Sequence, residues 1–134
     1  MHPTIARQLV VNAPDDVDGL AQASLQAALL EALDSAAAAD QDFVRIVDAA
    51  RSVSTDDEHD PDGAGLAVER ALITARVRQA HARLTELTRA VDRVALGRYG
   101  RCEVCGGPIG AERLAARPAA PTCIGCATEE EHGR

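Results

Sequence analysis

Residues 17–53 contain no proline and a single glycine, Gly19, and apolar or small side chains recur among them at Leu29, Leu33, Ala36, Phe43, Val47 and Ala50. With Asp40 in the one polar place, the intervals run 4,3,4,3,4,3, the repeat of a heptad seam. A second series, Ile73, Val77, Ala80, Leu84, Leu87, Val91 and Val94, repeats those intervals between about Ala64 and Leu96. Gly97 and Gly100 close it. Between the two lies a polar break, Ser-Thr-Asp-Asp-Glu-His-Asp-Pro-Asp-Gly at 54–63, in which Pro61 and Gly63 end any helix. Two long heptad segments joined by a short polar turn predict an antiparallel coiled-coil hairpin over residues 17–97, each helix about 50 Å long at ~1.5 Å per residue. A compact helical bundle is the competing arrangement, but the chain holds no further long helix to complete one.

Charge supports the pairing. Residues 17–53 carry six acids and two arginines, and residues 63–97 carry six arginines and three acids, so the flanks of the two helices attract. Composition points the same way. The 134 residues are rich in Ala, Leu and Val, and Phe43 and Tyr99 are the only aromatics. That suits thin, closely packed helices better than a wide core. All fourteen basic residues are arginine, which together with the many alanines reads as codon bias of a GC-rich genome. A net charge of −7 disfavours general DNA coating, which needs a basic surface. No apolar run approaches a membrane span. Residues 1–16 read as a loose tail ending in the helix-start signal Pro14-Asp15-Asp16, without a signal-peptide core, so a cytoplasmic location is the default expectation.

The third part, residues 98–134, holds every cysteine, and a short C-terminal helix is expected within it. Cys102-x2-Cys105 and Cys123-x2-Cys126 are separated by seventeen residues. Two residues between ligands let a tight turn aim both sulfurs at one metal, and amides of the turn can donate to the thiolates. Gly106-Gly107-Pro108 and Gly125 provide the backbone freedom. Two such knuckles complete a tetrahedral S4 site that favours one structural Zn²⁺, with no position left for a catalytic water. Its formal charge of about −2 can be offset by Arg98, Arg101, Arg113 and Arg117, close in sequence. A redox dithiol pair, two disulfides and an iron–sulfur cluster are the competing uses of the same cysteines.

The polar break gathers Asp56, Asp57, Glu58, Asp60 and Asp62. An acidic tip at 54–63 suits a bound Mg²⁺ or a basic partner surface. Equally, Asp60 or Asp62 can simply cap the second helix, or the run can be a solvated loop.

A helical hairpin, an acidic tip and a four-cysteine module together resemble the DksA/TraR family. The likeness rests most on Tyr99-Gly100-Arg101-Cys102-Glu103, Cys105-Gly106, Ile109-Gly110, Arg113 to Pro118 with its Ala-Arg-Pro segment, and Cys123-Ile124-Gly125-Cys126. The run from Asp56 to Ala64 looks like a variant seen in actinobacterial members. The resemblance implies a non-catalytic, zinc-stabilised transcription regulator that binds RNA polymerase through its secondary channel, without direct sequence-specific DNA binding. In the family tip pattern, Asp-x-x-Asp-x-Ala, the second Asp falls on Asp62 and the Ala on Ala64. The first falls on His59, with Asp60 beside it. Arg117 matches one position of the family's ppGpp-responsive basic set. The lysine expected after the last cysteine is Ala127, and one expected on the second arm is Glu86, which argues against a ppGpp response. The residues by themselves leave two other classes open: a coiled-coil adaptor or oligomerisation protein, and a thiol-based redox or zinc switch. No nucleophile–base pair, phosphate loop or open metal site suggests an enzyme.

Overall fold

A computed structural model of the chain describes residues 16–53 and 62–133. It contains four helices: α1 (Asp16–Val53), α2 (Asp62–Ala95), α3 (Ala111–Ala116) and α4 (Ile124–His132). The two long helices pack as a hairpin. Contacts divide the chain into two units, one of residues 30–85 and one combining 1–29 with 86–134. Among the described residues, no helix is long and apolar enough to cross a membrane.

In the first unit, α1 and α2 lie antiparallel. The seam of α2 is the one expected: Ile73, Val77, Ala80 and Leu84 are all half-buried. The seam of α1 differs from the expected series in part. Ala36 is buried and Leu29, Phe43, Val47 and Ala50 are half-buried, as the pattern requires, but Leu33 and Asp40 are exposed, and Ala32, Ala39 and Ile46 are the buried neighbours. Leu33 is 47% exposed. The physical reason is visible at Asp40. An ionised carboxylate at a seam position would lose its hydration, so the helix turns to seat alanine there and leaves Asp40 on the flank. The alanines at 32, 36 and 39 also let the larger side chains of α2 approach closely.

On its flank Asp40 meets the other helix. The His81 Nε2–H donates to Asp40 Oδ1 at 2.9 Å, and Arg76 lies 3.7 Å from Asp42 Oδ2, which also receives the Arg45 guanidinium at 3.3 Å on its Oδ1. These pairs bridge the two sides of the seam, Asp40 with His81 along one edge and Asp42 with Arg76 along the other. They fix register rather than supply much stability, because all four side chains are substantially exposed. Asp40→Ala is expected to cost no more than about 1 kcal/mol, as read by urea unfolding.

In the second unit, Leu87 and Ala90 of α2 are fully buried and Ala21 and Leu25 of α1 are nearly so. Helix α2 stops on a left-handed glycine. Gly97 has φ +68°, its amide donates to the Val94 carbonyl at 3.0 Å, and the Arg98 amide donates to the Arg93 carbonyl at 2.8 Å. This double closure satisfies the last carbonyls of the helix and turns the chain into the cysteine module. The module's small core joins Ala21, Cys102, Ile109, Leu114 and Ala120, with Tyr99, Cys123 and Cys126 packed against it.

Candidate metal centre

The first knuckle is a tight turn held by its own backbone. The Cys102 amide donates to the Gly107 carbonyl at 2.8 Å, and the Gly106 amide donates back to Cys102 at 3.0 Å. Arg101 and Pro108 form an isolated antiparallel bridge behind it, and the Ile109 amide donates to Gly100 at 2.9 Å. The reversal needs φ +72° at Gly106, a conformation that a side chain would strain. The second knuckle is the start of α4. Cys123 is its N-cap and Cys126 lies in its first turn, with the Ala127 amide on the Cys123 carbonyl at 3.0 Å.

These two turns bring Cys102, Cys105, Cys123 and Cys126 together, their sulfurs all within 4.8 Å of one another. Cys105 Sγ and Cys123 Sγ are 3.9 Å apart. A disulfide needs about 2.05 Å, and all four cysteines are free. A tetrahedral zinc with bonds of about 2.3 Å places its sulfurs about 3.8 Å apart, so the cluster fits that ion. The Gly107 amide points at Cys105 Sγ, 3.4 Å away, the amide-to-thiolate bond expected of such a knuckle. Cys102 is buried and Cys105 exposed, while the other two are half-buried. Four sulfur ligands complete the shell, so the zinc is structural.

The electrostatics of the thiol cluster are asymmetric. The backbone amides of Cys105 and Cys123 donate to the Cys102 sulfur and lower its pKa to about 6, against the opposing effect of burial. Cys126 is pushed well up, first by its hydrogen bond with the Cys123 side chain and then by that with Cys102. Zinc must therefore displace a proton from Cys126 at neutral pH. Zinc uptake is expected to release protons, and the apparent affinity to fall as pH drops toward about 6, where Cys102 also begins to hold its proton. Chelator competition across pH, with an indicator for released protons, measures both.

The segment between the knuckles is gripped by side chains. The Tyr99 hydroxyl donates to the Pro118 carbonyl at 2.7 Å, Arg93 Nη2 donates to the Ala119 carbonyl at 3.1 Å, and Arg113 Nε donates to the Thr122 carbonyl at 2.8 Å. The Glu103 amide takes the Pro121 carbonyl at 2.9 Å, which ties the first knuckle to the same segment. Burial raises the Tyr99 pKa, and the neighbouring Arg93 charge lowers it in part. Of the arginines expected near the metal, Arg113 is thus spent on a carbonyl, while Arg98, Arg101 and Arg117 are exposed. The arginine that the module buries is Arg93, which the sequence pattern counts only among the flanking charges of α2. Its one signal is position: it stands beside the seam residue Val94 in the last turn before Gly97.

Asp60 lies outside the described residues, Asp62 is the first residue of α2, and Ala64 is exposed in its first turn. Arg117 caps the C-terminal end of α3. Ala127 is half-buried in α4.

Residues 97–132 match the model of the prokaryotic DksA/TraR C4-type zinc finger. The solved structure of transcription factor DksA2 from Pseudomonas aeruginosa is similar over 95% of both chains, with a TM-score of 0.68 and 25% sequence identity. No curated protein sequence matches the chain significantly. Nothing in these likenesses places the chain among actinobacterial members of the family. The four-sulfur geometry, the matched finger and the shared fold agree: the chain carries a DksA/TraR C4-type zinc finger, set on the fold of a DksA protein.

Proposed function

We propose that the protein is a zinc-stabilised, non-catalytic transcription regulator that binds RNA polymerase through its secondary channel. The observation that carries this reading is the likeness to DksA2, a transcription factor, along nearly the whole of both chains. The hairpin of α1 and α2 is the inserted arm. Asp62 and Ala64, at the start of α2, together with Asp60, form the working tip, and the zinc module holds the other end of the helices. A cytoplasmic location and the absence of direct sequence-specific DNA contacts belong to the same reading. A ppGpp response does not: a pyrophosphate needs clustered positive charge, and Arg117 has Ala127 and Glu86 where the family places lysines.

Co-purification with RNA polymerase, followed by transcription from a responsive promoter with purified components, tests it. The wild-type chain is expected to bind polymerase and change transcript yield. Asp62→Asn should bind with unchanged zinc content and lose most of that change. Full activity of the variant would remove Asp62 from the mechanism. A stable homodimer that recovers no polymerase would instead support the adaptor reading, for which the exposed Leu30, Leu33 and Val44 of α1 are available.

A further inference from the structure

Arg93 is the one charged side chain buried among the described residues, 9% exposed. Taking a guanidinium out of water is costly unless its donors are satisfied. Its satisfaction here depends on the zinc module. Nη2 donates to the Ala119 carbonyl at 3.1 Å, Nη1 lies 3.5 Å from Glu103 Oε1, and Nε is buried with no partner. Glu103 directly follows the ligand Cys102, and Ala119 belongs to the segment that runs into the ligand Cys123. One side chain on the last turn of α2 therefore spans both halves of the metal site.

The segment that receives it is stiff. Of residues 118–122, the carbonyls of Pro118, Ala119, Pro121 and Thr122 are each taken by a different donor from elsewhere in the unit. It acts as a bar between the knuckles, to which Arg93 and the Glu103 amide are both attached. With the four thiolates held by one ion, both partners of Arg93 are fixed in place. Without the ion, the knuckles are joined through that bar and the small core they share, and a shift of either leaves a buried, already incompletely paired cation. The way to relieve that is to open the end of α2 and let the guanidinium reach water.

We propose that Arg93 is a positioning residue that couples zinc occupancy to the order of the hairpin's last turns, stabilising the metal site and the end of α2 together. Coupling of this kind is reciprocal: what zinc does for α2, Arg93 does for zinc affinity. Groups bonded directly to metal ligands typically contribute about 10–100-fold in affinity, and Arg93, which touches residues on the ligand-bearing segments rather than the ligands, is expected at the lower end of that range. The inference does not depend on what the hairpin binds.

Zinc affinity is measured by chelator competition on the full chain, and amide hydrogen exchange across residues 87–95 with and without zinc. Arg93→Met, which keeps the apolar stem, is expected to bind zinc about 10-fold more weakly or worse while retaining the helicity of α1 and α2. In the wild-type chain, removing zinc should speed exchange at 87–95. In Arg93→Met, exchange there should be nearly the same with and without zinc, which a merely structural role would not produce. Arg93→Lys keeps the charge but cannot reach both acceptors, and should fall between. Wild-type zinc affinity in Arg93→Met, or an equal zinc effect on 87–95 in both chains, overturns the proposal. If Arg93→Met does not fold, Glu103→Gln decides: its carboxylate is 56% exposed, so it removes the ion pair with little change of packing. It should weaken zinc binding in the same direction, and unchanged affinity there counts against the coupling.

Discussion

Cys105→Ser is expected to abolish zinc binding and unfold the module, while α1 and most of α2 remain helical. Cys105 is exposed and packs against little, so its replacement tests the metal alone. The module has few other resources. Its core is the handful of side chains around Cys102, Ile109 and Leu114, and its two helices have 6 and 9 residues. Helices that short do not persist without packing. Structural zinc contributes about 10–16 kcal/mol in comparable fingers, more than so small a core can replace. The long helices, of 38 and 34 residues, keep their own seam. Elemental analysis should find no zinc in the variant. Hydrogen exchange should find protection lost across the module but kept in residues 66–80. Cys102→Ser should be worse, because Cys102 is 3% exposed and its sulfur is also a core atom. One zinc per chain in purified Cys105→Ser would refute the four-ligand site.

Leu87→Ala is expected to be the most damaging substitution in the helical part, at about 2–5 kcal/mol. Leu87 has no exposed surface, and it is the largest side chain so enclosed among the described residues. The other buried apolar helix positions of its unit include Ala21 and Ala90, whose side chains are too short to fill a void. The cavity left by the truncation therefore stays, and the loss should lie toward the upper part of that range. Against a total stability of about 5–15 kcal/mol this is a large fraction. Leu72→Ala is the control. Leu72 is 66% exposed, and its truncation should change stability by no more than about 0.5 kcal/mol. Urea unfolding of both variants, with zinc held saturating, gives the comparison. Equal effects would mean that Leu87 is not enclosed as described.

The helices, the cysteine quartet and the seam of α2 were legible in the residues, because each depends on a short-range pattern. A heptad of Ile, Val and Leu has one way to be buried, and two Cys-x2-Cys turns have one common use at that spacing in a finger. The seam of α1 was legible only by halves. Its alanine-rich helix offers two nearly equivalent heptad series sharing positions 29, 36, 43 and 50, and periodicity could not choose between them. The partner helix chose: it set alanine against its large side chains and put Asp40 outside, where His81 receives it. Asp40 was the mark of the wrong series, since it was the one polar residue in it.

Arg93 shows the other kind of limit. Along the chain it is one more arginine on a helix with an arginine-rich flank. Only the fold, by bringing Glu103 and Ala119 over the last turn of α2, turned a flanking charge into a buried one. Local sequence determined that this protein is helical, paired and zinc-binding, because those properties follow from spacing along one segment. Which face of α1 is buried, and which arginine serves the metal site, depend on groups far apart in the chain, and tertiary packing decided both.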